Sequence, residues 1–308
     1  MKNSKSNRHT HNKQNSISSA SNTILNLIFI FWSAMCIVPF LLVLGISFSS
    51  ESSITLEGYR IIPSEFSTLA YEYIFKKTTM LLKAYGVTIG TTISGTILSL
   101  AIITLFAYPL SRKYFKLRNF FSFIVFFTMI FQGGAVASYM VYTQVLGLKN
   151  NYLAYITPTL MNAWNVILMR TFITISVPDE LVDAAKIDGA GELKTFWSIV
   201  IPLCKPGMAT IALFTAINLW NDWYTPSLYI TDSSMHNLQY MLYSMLSNIQ
   251  YLKSNIGRVG NASLLLSEMP AESVRMAMCI ITIGPIVLAY PFFQKYFVKG
   301  LTVGAVKG

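Results

Sequence analysis

Residues 178–206 read PDELVDAAKIDGAGELKTFWSIVIPLCKP, a charged stretch set between two long apolar ones. How its neighbours are read decides the fold. Stretches near 24–48, 84–110, 120–142, 152–173, 207–230 and 274–293 are apolar enough to cross about 30 Å of hydrocarbon, which takes roughly 20 residues each. The composition agrees: 53 % of the residues are hydrophobic and 12 % charged, with a positive mean hydropathy. Soluble domains carry about a quarter charged residues. The chain is therefore read as an all-α membrane protein with six transmembrane helices, and the quoted segment as the place where it leaves the membrane. The stretch 24–48 could be taken for a signal peptide. Its apolar run of about 25 residues exceeds the 7–15 of a signal sequence and no small-x-small site closes it, so a retained anchor is expected.

Lysine and arginine give the orientation. The amino-terminal tail carries Lys2, Lys5, Arg8 and Lys13, the loop after the second stretch Arg112, Lys113, Lys116 and Arg118, and the final segment Lys295, Lys299 and Lys307. Six crossings put all of these on one side, which the positive-inside rule makes the cytoplasm. The opposite loops mix Glu51, Glu57, Glu65 and Glu72 with Arg60, Lys76, Lys77 and Lys83. Both termini and residues 178–206 are thus expected in the cytoplasm. The net charge of +10 follows from this topology and does not point to a nucleic acid. The expected organisation is a disordered basic tail (1–23), a first transmembrane helix (24–48), an extracytoplasmic loop (49–83), a core of five transmembrane helices (84–298) and a cytoplasmic tail (299–308). Within the core lie the charged loop 176–206 and an outer loop, 231–272. The outer loop contains a helix-like stretch, 238–252, and Tyr240, Tyr243 and Tyr251, which favour an ordered segment packed on the bundle or touching a partner. Cys36, Cys204 and Cys279 are far apart in or beside apolar segments, so buried inert thiols are expected, with no metal site and no disulfide.

Within the quoted segment, Pro178 suits a first helical turn, and Asp179 and Glu180 put negative charge at its positive end. Leu181, Ala184 and Ala185 fall on one face at helical spacing. Gly189 and Gly191 break that helix. Glu192 begins a second, in which Leu193, Phe196, Trp197 and Val200 recur at i, i+3, i+4 and i+7. Pro202 stops or kinks it, and Lys205 and Pro206 lead into the fifth apolar stretch. The result is an elbow of two short helices held by the ends of two spans, a shape suited to transmitting force. An amphipathic loop lying on the membrane would account for Phe196 and Trp197, but not for the spacing Ala-Ala-x3-Gly.

That spacing carries a resemblance. Asp183-Ala184-Ala185, Gly189, Ile199 and Ile201-Pro202 resemble the signature E-A-A-x3-G-x9-I-x-L-P of ABC-importer permeases, departing at Asp183 for Glu and Ile201 for Leu. VPDELVDAAKIDGAG is similar to the carbohydrate-uptake branch related to the maltose permeases. YPFFQKYFVKGLTVGAVKG (290–308) looks like the terminal signature of the polysaccharide or complex-oligosaccharide branch. GGAVASYMVYTQVLGLKN, from Gly133, resembles the same branch, although Ala-Val-Ala-Ser stands where a Leu-Ile-Pro-Thr-like run is usual. The resemblance covers residues 84–308. It implies coupling helices that seat on a separate cytoplasmic ATPase dimer, with Asp183 and Asp188 at the contact, Ala184 and Ala185 allowing close approach and Gly189 the turn. Leu193, Phe196, Trp197 and Pro202 would pack the loop, and Lys299, Gly300 and Lys307 would run near the two ATPases. It also implies a second permease subunit, an extracytoplasmic binding protein, an oligosaccharide as solute, surrounding membrane lipids and a bacterial plasma membrane.

Polar residues inside spans are costly and stand as functional candidates. Gln132, then Asn162, Trp164 and Asn165, then Asn218, Trp220, Asn221, Asp222 and Trp223 offer amides, a carboxylate and indole faces that suit sugar hydroxyls and pyranose rings. Asn and Gln also glue membrane helices to one another, and tryptophans mark the interface. No G-x4-G-K-[ST] phosphate loop is present, so ATP-Mg is expected on the partner chain, with no cofactor and no catalysis in this one. Another solute class, such as a peptide or polyol, stays open. An ion-coupled secondary transporter would need a relay of ionisable groups, for which Asp222 is nearly the sole mid-span acid.

Overall fold

A computed structural model describes residues 19–76, 78–254 and 271–305. Their regular structure is helical, apart from one isolated bridge between Ser49 and Phe66. Three helices are long and unbroken: α1 (Ser19–Ser47, 29 residues), α4 (Thr78–Ser111, 34 residues) and α15 (Ala271–Ala305, 35 residues). At a rise of 1.5 Å per residue each exceeds the roughly 30 Å of a bilayer core. The first begins at Ser19 rather than at 24. The segment between α1 and α4 is not a plain loop, since it folds α2 (Glu51–Glu57) and α3 (Leu69–Phe75). Glu51 reaches across to α15, where its carboxylate accepts the backbone N–H groups of Glu272 and Ser273 and so caps that helix.

The remaining apolar stretches differ from the continuous spans expected of them. The third is α5 (Arg118–Ile130) and α6 (Gly134–Met140), the latter extended by a π turn over Val141–Val145 and bent 115° from α5. Gly134, the first residue of α6, sits at φ +80°, a backbone conformation that favours glycine and that a continuous helix does not pass through. The fourth is α7 (Leu153–Ile156), a 3-10 turn through Pro158, and α8 (Ala163–Ser176). After α9 (Asp179–Ile187) come α10 (Glu192–Thr195), a π turn over Phe196–Val200 and α11 (Ile201–Leu203), which bends by 77° into α12 (Lys205–Trp220). The fifth stretch then breaks again before α13 (Tyr224–Tyr229). A helix α14 (Leu238–Ser254) matches the helix-like stretch expected in the outer loop. Hydropathy windows count apolar residues and do not register these breaks, which are set by Gly134, Pro158 and the polar residues described below.

Helix α4 is the axis of the fold, packed along α12 and α8, while α15 packs on α12 and α1 leans on α15. One core, with Ile103, Ala107, Met169, Ile173, Val200 and Ile211, fills the end near the charged segment. Another, with Ala70, Leu81, Leu238, Val274 and Met278, seats α3 and α14 on the opposite end. Helix α1 buries little of its first half and exposes Phe29, Phe31 and Trp32, which lipid or another apolar helix can cover. Cys36 lies exposed on that same helix, correcting the expectation of three buried thiols; Cys204 is buried and Cys279 half-buried.

Gly207 marks the tightest approach of α12 to α8, since a Cβ there would stand 2.6 Å from Cγ of Phe172. Gly207→Ala is therefore expected to cost about 1–3 kcal/mol through overpacking. A lowered unfolding temperature in detergent would show it, and an unchanged one would mean that Phe172 yields freely.

Candidate functional site: the elbow and the broken spans

The elbow forms as expected, with one face rotated. In α9, Val182 (1 % exposed) and Ala185 are buried, and Val182 joins Val177, Phe196 and Val200 in the core. Positions three apart share a face, so Val182 and Ala185 turn inward together. Leu181, Asp183, Ala184, Ile187 and Asp188 face out. The two alanines thus do not form one flat surface: Ala185 packs within the chain and Ala184 lies outside. The helix ends in a Schellman cap, with Ala190 N–H donating to Ala185 O (2.8 Å) and Gly189 N–H to Lys186 O (3.0 Å). Gly189 supplies the left-handed residue this motif needs, at φ +76°. In the second arm Phe196 is buried on the Tyr108 ring, 5.4 Å between centroids, whereas Leu193 and Trp197 are 74 % and 64 % exposed. Pro202 has no N–H to give the helix, and the π turn just before it carries the chain past that gap; the sharp bend comes later, at Cys204. Leu181, Ile187 (87 % exposed), Leu193 and Trp197 therefore leave apolar side chains exposed on both arms of the elbow, with Asp183 and Asp188 exposed on the first.

Two clasps that are not evident from sequence spacing tie this elbow to the second span. Arg112, just past the end of α4, is 1 % exposed. Its Nη1 donates to Val177 O (3.2 Å), at the carboxyl end of α8, and to Asp179 Oδ1 (3.3 Å), at the start of α9. Lys113 Nζ stands 3.2 Å from Asp179 Oδ2. The guanidinium also lies over the Tyr108 ring at 5.3 Å, with Nε and Nη2 buried and unpartnered among the described residues. In the second clasp, Glu192 accepts from Tyr108 Oη (2.7 Å) and Tyr114 Oη (3.0 Å) and pairs with Lys186 Nζ at 3.2 Å, which lies over the Tyr114 ring. The contacts from Tyr108, Arg112, Lys113 and Tyr114 to the elbow join residues 65 to 84 positions apart. Arg112 and Lys113 were legible in the sequence only as orienting charges.

Partial burial pushes the Glu192 carboxyl up, but the hydrogen bonds from Tyr108, Tyr114 and Lys186 outweigh it and hold the group below its usual value. A depressed carboxylate lends stability above its unfolded value, near 4.3, and loses it as pH falls through the lower folded one. Acidification below about pH 4 is thus expected to loosen the elbow. The tryptophan emission of the wild-type chain should change there, while Glu192→Gln shows no such step. Identical profiles would mean that the clasp does not depend on the charge.

The polar residues proposed for the spans fall at the helix breaks or beside them. Gln132 lies exposed in the turn between α5 and α6, without a hydrogen bond to the other path residues among those described. Asn162 caps α8, its Oδ1 accepting Asn165 N–H at 3.1 Å, and the buried Asn165 reaches Thr215 of α12 at 3.5 Å. Trp164 points out of the chain. Trp220 is buried and donates from Nε1 to Thr282 O of α15 (3.2 Å), which fastens two helices together. Asn218 is exposed. Asp222 occupies the break after α12 and caps α13, its Oδ1 accepting from Tyr224 and Thr225 N–H at 3.1 and 2.9 Å; Oδ2 is buried and unpartnered among the described residues. Asn221 accepts from Gln239, and Trp223 stacks on Tyr243 at 4.4 Å, so α14 folds back over this break. The structure thus gathers Asn221, Asp222 and Trp223 under α14, links Asn165 to α12, and leaves Gln132, Trp164 and Asn218 apart. Lys299 and Gly300 lie on the last turns of α15, and Lys307 falls outside the described residues.

Two clefts flank α4. One of about 380 Å³ between α4, α12 and α15 is apolar, lined by Ile89, Ile93, Leu213, Ile217 and Trp220. The other, about 590 Å³, is mixed: Lys83, Thr91, Ser94, Tyr152 and Ser234 line it beside Val87 and Ile156, and Gly86 and Gly90 keep its floor open.

Residues 101–303 match the family described as "Binding-protein-dependent transport system inner membrane component". The chain is 37 % identical over 275 residues to Protein LplC of Bacillus subtilis (strain 168), covering 89 % of this chain and 90 % of that one. It is 36 % identical over 279 residues to the polygalacturonan/rhamnogalacturonan transport system permease protein YtcP of the same organism, covering 91 % and 95 %. Among solved structures, a chain from a bacterial ABC transporter involved in the import of the acidic polysaccharide alginate superposes with a TM-score of 0.76 at 30 % identity, over 92 % of this chain and 98 % of that one.

Proposed function

The chain belongs to the family of binding-protein-dependent transport system inner membrane components, and from that premise we propose that it forms one membrane half of an ABC importer for an oligosaccharide. The observation that carries this reading is the elbow: a capped helix with Leu181, Ala184 and Ile187 exposed on its outer face beside Asp183 and Asp188, braced at both arms against the second span. A motor subunit seated on that face would move α4, α8 and α12 together. The motor is a separate cytoplasmic ATPase dimer that binds ATP-Mg. The remaining partners are a second permease subunit and an extracytoplasmic binding protein. In this arrangement both termini and the elbow are cytoplasmic, and the six apolar stretches serve as six crossings, some of them broken. ATP binding and loaded binding protein favour the outward-open state, and hydrolysis returns the inward-open one.

The oligosaccharide is supported by the polygalacturonan/rhamnogalacturonan and alginate that two of the relatives transport and by the hydroxyl-bearing cleft on α4. An ion relay is poorly supported, because Asp222, nearly the sole mid-span acid, spends an oxygen on capping α13. Asp222→Asn keeps that acceptor and is expected to fold normally, whereas Asp222→Ala loses a cap worth about 0.5–2 kcal/mol. Loss of uptake in the folded Asn variant would assign the free oxygen to the solute; full uptake would make Asp222 structural.

Ile187→Asp tests the reading as a whole. The side chain is exposed, so membrane abundance should hold, while a charge on the apolar face should strip the ATPase from the purified chain and abolish uptake. Retained ATPase with normal uptake would overturn the assignment of the elbow.

A further inference from the structure

We propose that Arg118 and Arg170 together hold the phosphate of an anionic phospholipid at the end of the bundle that carries the elbow. Arg118 opens α5 and Ser122 lies one turn further along it; Arg170 projects from α8 and donates from Nη1 to Ser122 Oγ at 3.3 Å. Arg118 and Ser122 share a face of α5, so the Arg170 guanidinium that reaches Ser122 lies on the same side of that helix as Arg118. Like charges brought together at the edge of an apolar bundle repel, and the described residues offer no carboxylate to offset them. The ion pairs there engage Arg60, Arg112, Lys113, Lys186 and Arg275 instead. Asp179 takes two of the four cations in the 112–118 loop, leaving Lys116 and Arg118 without an acid. Arg118 Nε is buried with no acceptor among the described residues. A buried donor left unpaired is costly, and the missing partner is an anion. The start of α5 adds to the same potential, because Leu117 provides no side-chain cap for its first N–H groups.

Phosphate is the chemistry that fits two planar guanidinium forks and a hydroxyl. A lipid headgroup and free phosphate share that chemistry, and the flank of α5 favours the lipid. Phe120, Phe123 and Phe127 share the flank of α5 turned away from Ser122, and all are exposed, which sets the first turns of α5 against lipid. The pair lies at the end of the apolar bundle, where headgroups border α5, and basic sites between membrane helices hold acidic lipids.

The test uses the full chain, purified with its partner subunits into nanodiscs of phosphatidylglycerol or phosphatidylcholine. Native mass spectrometry reads retained lipid. The wild type should retain phosphatidylglycerol and not phosphatidylcholine. The double variant Arg118→Gln/Arg170→Gln should bind it about thirtyfold more weakly, the factor that two basic residues at a membrane surface are worth. Arg170→Lys keeps the charge and should keep most of the retention, which separates loss of the site from loss of fold. Equal retention by the double variant, or retention of phosphatidylcholine by the wild type, would overturn the site. Protection of Arg118 from phenylglyoxal by inorganic phosphate in phosphatidylcholine discs, matching that given by phosphatidylglycerol, would keep the phosphate and overturn the lipid.

Discussion

Gly189→Val is expected to lower solute uptake about tenfold at unchanged membrane abundance, whereas Gly189→Asn retains most of it. The residue sits at φ +76°, where it closes the Schellman cap of α9. A β-branched side chain is a true outlier there, and asparagine is among the few non-glycine residues that tolerate the region. The penalty for valine is about 1–2 kcal/mol, roughly a tenfold drop in how often the elbow holds its angle. Among the described residues, the sequence neighbours aside, no atom lies within 4 Å of a Cβ at this position, so strain rather than collision inside the chain is at issue. Uptake in cells, with the chain and the ATPase quantified in the same membranes, reads the effect. Equal loss from both variants would shift the explanation to volume: a partner surface pressed against Gly189 would exclude asparagine as firmly as valine.

Most of the elbow was legible because its determinants are local. A proline at the start, acids in the first turn, a glycine at the end and an apolar repeat in the second arm each act within a few residues, and the structure realises them at Asp179–Ile187 and from Glu192 onward. The rotation of Ala185 inward was less accessible, since a nine-residue helix with Leu181, Val182, Ala184, Ala185 and Ile187 offers two overlapping apolar faces. Only the core beneath, built from Val177, Phe196 and Val200, selects between them. The span breaks were hidden for a different reason. Asn162 and Asp222 look like polar intruders in apolar runs, and an intruder can serve a solute or the backbone; here both cap a helix that restarts. The family's wider pattern of partners was readable from the motif, while the brace from α4 was not, because no spacing rule links Arg112 to Asp179 or Tyr108 to Glu192.

That brace yields the second large effect. Arg112→Met is expected to cut uptake about thirtyfold while the ATPase still co-purifies with the chain. Methionine fills much of the same buried volume, and Asp179, itself 37 % exposed and still beside Lys113, is not left as a buried unpaired charge, the case in which removing one partner is most costly. What disappears are the hydrogen bonds to Val177 O and Asp179, worth about 1.5–3 kcal/mol each when one partner is charged. Asp179 would keep Lys113, which is 82 % exposed and too mobile to fix the angle between α4 and α9. Losing about 2 kcal/mol of that bracing is roughly a thirtyfold change in the population of the aligned state. The outer face of α9, with Leu181, Ala184 and Ile187, is untouched, so docking should survive where transmission fails. Ile187→Asp gives the opposite pattern, losing the ATPase first, and Arg112→Lys should recover part of the uptake by restoring a charge near Asp179. If Arg112→Met instead releases the ATPase, the arginine shapes the docking face itself. The brace from the second span would then set where the motor binds rather than how its stroke reaches the membrane.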